Sequence, residues 1–140
     1  VNYSRRDLSL LLPALAAAGA TAQHSALPSK AFRFEDLPVR TNGGTKSRAL
    51  LKGETHSGFP IEMHMTELGP GMAPHPPHHH LHEEAVFIHD GTIEVTILGK
   101  STQLGPGSMA YVASGEEHGW KNVGSGPALY TVLALGSDKS

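Results

Sequence analysis

The sequence predicts an all-β protein, a sandwich or barrel of short strands. Apolar and polar side chains alternate with period two through most of the chain beyond Thr45, the signature of strands with one buried face. Gly-Pro-Gly and Gly-Ser-Gly breaks interrupt that alternation at short intervals, as strand-turn-strand chains require. No stretch past the first turn signals reads as a long helix, because 16 glycines and 10 prolines would break one.

In chain order, residues 1–22 read as an export signal. Arg5 and Arg6 form a charged head, an apolar run covers Leu8 to Ala18, and Ala20-Thr21-Ala22 offers small residues for cleavage. The paired arginines followed by Leu8 resemble a twin-arginine signal, which implies export to the periplasm or beyond as a folded protein, with the general secretory route as the alternative. The run is too short, and too interrupted by Pro13 and Gly19, for a stable membrane span. Residues 23–45 mix prolines, glycines and polar side chains and read as a surface arm, with one short strand in the alternating piece Ala31 to Val39.

Residues 46–140 form the barrel domain. Strands are expected at Arg48 to Lys52, Ile61 to Leu68, Ala85 to His89, Thr92 to Leu98, Met109 to Ala113, His118 to Val123 and Ala128 to Leu135. Asp90-Gly91 carries the dipeptide of a tight hairpin and is expected to join the two strands beside it. Strand parity then puts Glu84, Val86 and Ile88 on one face and Ala85, Phe87 and His89 on the other, so His89 is expected to serve other side chains rather than a metal.

Composition bounds the chemistry. Lys+Arg 11 against Asp+Glu 13 leaves a formal charge of -2, with no basic footprint for nucleic acid, so the partner is expected to be a small molecule. Cysteine is absent, which excludes disulfides and thiolate ligands and leaves nitrogen and oxygen donors. Ten histidines stand out, five of them from His75 to His82. In an extended backbone His78 and His80 share a face, Glu84 follows as a hard oxygen donor, and His118 is the other histidine well placed on a strand. A register using His80 and His82 puts Val86 where the acid belongs and fails. His75, His79 and His82 are then mouth or surface residues.

These residues resemble the two motifs of the cupin superfamily: His78, His80, Glu84 and Gly91 match the first, and Gly107, Gly115, His118 and Asn122 the second. Gly71 stands one residue too far from His78, and Ala113 replaces a proline; neither is a ligand. The resemblance covers about Ile61 to Leu135. It implies a double-stranded β-helix, or jelly-roll barrel, with one divalent metal ion held by His78, His80, Glu84 and His118. Fe(II), Mn(II), Ni(II), Cu(II) and Zn(II) all accept such donors.

Met63, Met65, Phe87, Tyr111 and Trp120 are the candidates for an apolar pocket wall. Glu117 and His82 are the side chains best placed in sequence for proton transfer, and neither is assigned as a catalytic base. The expected function is an exported metalloenzyme acting on a small organic substrate, with dioxygenase-like oxidation placed ahead of isomerase or decarboxylase chemistry. The alternative is a small-molecule or metal-binding module without turnover. A homodimer is expected because small barrels commonly bury a sheet face against a second copy.

Overall fold

A computed structural model describes residues 26–138; the export signal lies outside them. Nine strands follow in order: β1 (Arg40–Asn42), β2 (Thr45–Glu54), β3 (Pro60–Leu68), β4 (Glu83–Asp90), β5 (Ile93–Ile97), β6 (Lys100–Leu104), β7 (Met109–Val112), β8 (His118–Asn122) and β9 (Ala128–Leu135). They form a six-stranded sheet in the order β1-β2-β3-β9-β4-β7 and a three-stranded sheet in the order β6-β5-β8, with every pairing antiparallel. This is the all-β, jelly-roll architecture expected. Among the described residues no helix is long and apolar enough to cross a membrane.

The core lies between the sheets. Leu68, Val86, Ile88, Ala128, Tyr130 and Val132 from the large sheet meet Ile93, Val95 and Trp120 from the small one, all nearly inaccessible. Directly opposed residues share a face, so the register defines rows across β3, β9, β4 and β7. One inner row is Glu62, Ala134, Glu84 and Val112; the next is His64, Val132, Val86 and Ala110. The outer rows are Met63, Leu133, Ala85 and Tyr111, then Met65, Thr131, Phe87 and Met109.

Three expectations change. Asp90-Gly91 is not a hairpin tip, because β4 and β5 belong to different sheets. Gly91 turns a corner at φ 78°, with space so tight that a Cβ there would sit 2.7 Å from Ala128 Cα. The two-residue hairpin is instead Leu98-Gly99, at φ 49° and 78°, which pairs Ile97 with Lys100. It starts β6, a strand of mostly exposed polar residues that carries no apolar alternation to reveal it. The third change is in the arm, where Phe34–Asp36 forms a 3₁₀ turn in place of a strand, and Phe34 lies over the buried Arg48 guanidinium at 4.3 Å.

Leu98 is a branched, 66% exposed side chain in a left-handed conformation that asparagine adopts more readily. Leu98→Asn is therefore expected to stabilise the fold by about 1 kcal/mol, read as a higher urea midpoint with an unchanged slope. A lower midpoint would mean that Leu98 packs in a way its exposure conceals.

Candidate metal centre

The segment before β4 is tied to β8 by backbone. His78 N–H donates to the His118 carbonyl and His118 N–H to the His78 carbonyl, both at 2.9 Å, and Gly115 N–H donates to the His80 carbonyl at 2.8 Å. Farther along, Asn122 clamps the other end of β8: its Nδ2 donates to the carbonyls of Leu68 and Gly126 at 2.8 and 2.9 Å, and its Oδ1 accepts from Gly124 N–H at 2.9 Å. These bonds hold two stretches far apart in sequence in one register, so His78 and His80 lie alongside His118.

The three imidazoles form a nearly equilateral set, with ring centroids 5.1, 4.8 and 4.8 Å apart. Their donor nitrogens lie within 4.8 Å of one another, and the group could hold a metal ion. Glu84 closes the fourth side from β4: Oε1 is 3.5 Å from His80 Nε2, and Oε2 is 3.3 Å from His118 Nε2.

Protonation follows from the bonds. His80 Nδ1 lies 2.7 Å from the His82 carbonyl and His118 Nδ1 lies 2.9 Å from the Glu116 carbonyl. A carbonyl can only accept, so each Nδ1 carries a hydrogen, and the tautomer these bonds select turns its Nε2 lone pair inward. His80 Nε2, His118 Nε2 and Glu84 Oε2 are buried without a hydrogen-bond partner, and so is His78 Nδ1. Lone pairs facing one another in a buried space repel unless a cation lies between them. Donors about 2.1 Å from an ion and at right angles lie about 3 Å apart, close to the Glu84 contacts. Burial first, and then the neighbouring imidazoles of His75, His118 and His80, hold His78 below the ordinary histidine range, which favours the ligating neutral form.

The surroundings fix the donors. His82 stacks on His80 at 3.5 Å and 9°, with its Nε2 3.4 Å from Glu84 Oε1 and its Nδ1 2.8 Å from Asp138 Oδ1. Asp138 also accepts from the backbone N–H groups of Leu81 and His82 at 3.1 and 3.3 Å. Those bonds, led by the His82 side chain, hold its carboxyl below the usual range. His80, His82 and Asp138 also cluster, but parallel stacked rings aim their lone pairs side by side rather than at one point. His82 is thus a wall residue beside these side chains, the mouth position of the two places expected for it. His89 pairs with Thr131 Oγ1 at 2.6 Å on the outer face, and Glu117 is exposed.

The apolar pocket wall requires correction. Trp120, 5% exposed, faces the interior beside His118, at a centroid distance of 5.8 Å. Met63, Met65, Phe87 and Tyr111 lie on the opposite face of the large sheet from Glu84, as the register rows dictate. The interior face of β3 presents Glu62, His64 and Thr66 instead. Leu68, of the same parity, is fully buried on that face. A cavity of about 640 Å³ opens beside Glu84, lined also by Glu62, His64, His82, Ala134 and Asp138. Sequence reasoning missed Glu62, His64 and Asp138 as wall residues.

Residues 64–134 match the family described as Cupin domain. L-ectoine synthase of Bordetella parapertussis is 37% identical over 82 residues, a match that covers 57% of this chain and 60% of that protein; the enzyme of the same name from Bordetella bronchiseptica matches equally. The chain therefore spans less than two thirds of these curated relatives. Among solved structures, a predicted oxalate decarboxylase from Thermotoga maritima is 18% identical with a TM-score of 0.67, covering 77% of this chain and 100% of that one. The polyketide cyclase RemF from Streptomyces resistomycificus is 19% identical with a TM-score of 0.63, covering 81% and 83%. At these identities the two structures speak for the fold alone.

Proposed function

The chain belongs to the cupin family, and from that premise we propose that it is a mononuclear metalloenzyme whose His78, His80, Glu84 and His118 hold one divalent ion facing a small-molecule cavity. The observation that carries this reading is the set of buried, partnerless atoms His80 Nε2, His118 Nε2 and Glu84 Oε2 converging from the segment before β4, from β8 and from β4. Three neutral imidazoles and one carboxylate would leave a divalent ion with one net positive charge. When bound, the ion supplies Lewis acidity at a chelating oxygen of the substrate. Asp138 and His82 keep the His80 ring and Glu84 Oε1 in place, and Trp120 excludes water beside His118.

The reaction we favour is non-oxidative. The cavity brings together several side chains that exchange protons, Glu62, His64, His82 and Asp138 beside Glu84, and the curated relatives that match are synthases. Dioxygenase-like oxidation, which the donor set also permits, is the competing outcome. Metal-loaded protein offered small hydroxy, keto and amino acids is expected to turn over under an anaerobic atmosphere. Turnover that stops when dioxygen is removed would assign oxidation instead, and inertness with metal bound would leave a binding module.

The reading includes a homodimer formed through the outer face of the large sheet, where Met109 and Tyr111 are 50% and 52% exposed beside Met63, Met65, Phe87 and Leu133. A second copy is the simplest cover for such a face. Met109→Glu with Tyr111→Glu is expected to halve the mass measured by light scattering while leaving metal content unchanged; a native chain that runs as a monomer would remove this part of the reading. Export rests on residues 1–22, and fusing them to a reporter that matures only outside the cytoplasm tests it.

A further inference from the structure

On β3 the polar side chains that line the cavity are Glu62 and His64, and neither belongs to the donor set. Glu62 lies in the same inner row as Glu84, with Ala134 of β9 between them. Adjacent strands are about 4.8 Å apart, so β3 and β4 backbones lie about 10 Å apart across β9. The alanine between the two carboxylates leaves the floor of the cavity open. Glu62 does not stand alone. Its Oε2 accepts from Lys52 Nζ at 2.7 Å, and its Oε1 is 3.9 Å from His64 Nδ1. Burial holds the His64 imidazole below the ordinary range, against the opposing pull of Glu62 and Glu84, so it is a neutral hydrogen-bonding group at neutral pH.

A ligand bound by an oxygen on the Glu84 side and extending over Ala134 would meet Glu62 and His64 at its far end. We propose that Glu62 and His64, braced by Lys52, form a second binding wall that selects small ligands with a hydrogen-bond donor, a hydroxyl or an ammonium, at the end away from the metal. This inference rests on the metal reading above and deepens it by naming the substrate class. A ligand with a carboxylate at both ends would set its far charge against Glu62, whose one close cation is already engaged.

The test uses the full chain loaded with Zn(II) and titrated calorimetrically with 4-hydroxybutyrate, 4-aminobutyrate and succinate. These probes share one carboxylate and a chain length, and differ only at the far end. The hydroxyl and ammonium probes are expected to bind at least about tenfold tighter than succinate, because like charges brought together in a cavity are strongly disfavoured. Glu62→Gln removes that charge and frees Lys52, and is expected to bring the ratio to unity or invert it without changing zinc content. A merely structural role for Glu62 would weaken all three probes together. His64→Ala is expected to weaken the hydroxyl and ammonium probes by about three- to tenfold, the worth of one hydrogen bond. Comparing 4-hydroxybutyrate with 4-aminobutyrate identifies which donor is preferred. A native preference for succinate, or a ratio that Glu62→Gln leaves untouched, would overturn the inference while the metal reading stands. Failure of the native chain to retain zinc, seen before any probe is added, would remove both.

Discussion

His118→Ala is expected to abolish stoichiometric metal binding, lowering affinity by at least about a hundredfold, since losing even an outer partner of a metal ligand costs ten- to a hundredfold. His118 is 1% exposed, its Nδ1 is locked to the Glu116 carbonyl, and its backbone forms both bonds to His78. His82→Ala removes a stacked ring rather than a donor and is expected to cost less. Elemental analysis of the two variants, with circular dichroism to confirm their folds, separates ligand from support. Full metal content in His118→Ala would contradict the donor set.

The same site predicts a pH dependence. Ligating imidazoles must be neutral, and protons compete with the ion as pH falls through about 6. The depressed His78 group works in a definite direction: its folded form favours the neutral ring, so its contribution is present above the ordinary histidine range and is lost on the acid side. Occupancy is expected to fall as pH drops below about 6 and to be unaffected on the alkaline side up to about pH 8. Occupancy held to pH 4 would count against three histidine ligands.

Gly91→Ala is expected to destabilise the fold by about 2 to 5 kcal/mol, combining left-handed strain with overpacking. Its φ is 78°, and an added Cβ would stand 2.7 Å from Ala128 Cα and 2.9 Å from the Pro127 carbonyl oxygen. Backbone on that side cannot yield without shifting the start of β9. Gly107 is the matched control: φ is 83°, but nothing lies within 4 Å of a Cβ there. Gly107→Ala is expected to cost only the strain, about 1 to 2 kcal/mol. Equal losses in thermal or urea unfolding would mean that contact at Gly91 relaxes away.

Gly91 has the left-handed backbone that its dipeptide demands, but at a corner between sheets rather than a hairpin tip. Its requirement for positive φ was visible in the Asp-Gly dipeptide, but a tight hairpin and a corner between sheets demand the same local backbone. Only the partners of β4 and β5 distinguish them. Leu98-Gly99 made the opposite error possible, since a leucine in a left-handed conformation gives no sequence signal for a turn.

The sequence by itself determined the all-β class and most strand positions, because period-two alternation and glycine breaks are local properties. It also determined the relation of His78, His80 and Glu84, because strand parity and spacing follow from backbone geometry alone, and it singled out His118. What only the tertiary structure decided was which face of β3 points inward. Both faces of that strand carry partly buried side chains: Met63 and Met65 meet the outer apolar rows, while Glu62 and His64 meet the cavity. Parity separates the two sets without ranking them. The same limit hid Asp138, whose bond to His82 spans 56 residues. Its carboxylate acquires a place only when β9 delivers the chain end beside the turn before β4, and no local pattern encodes that meeting.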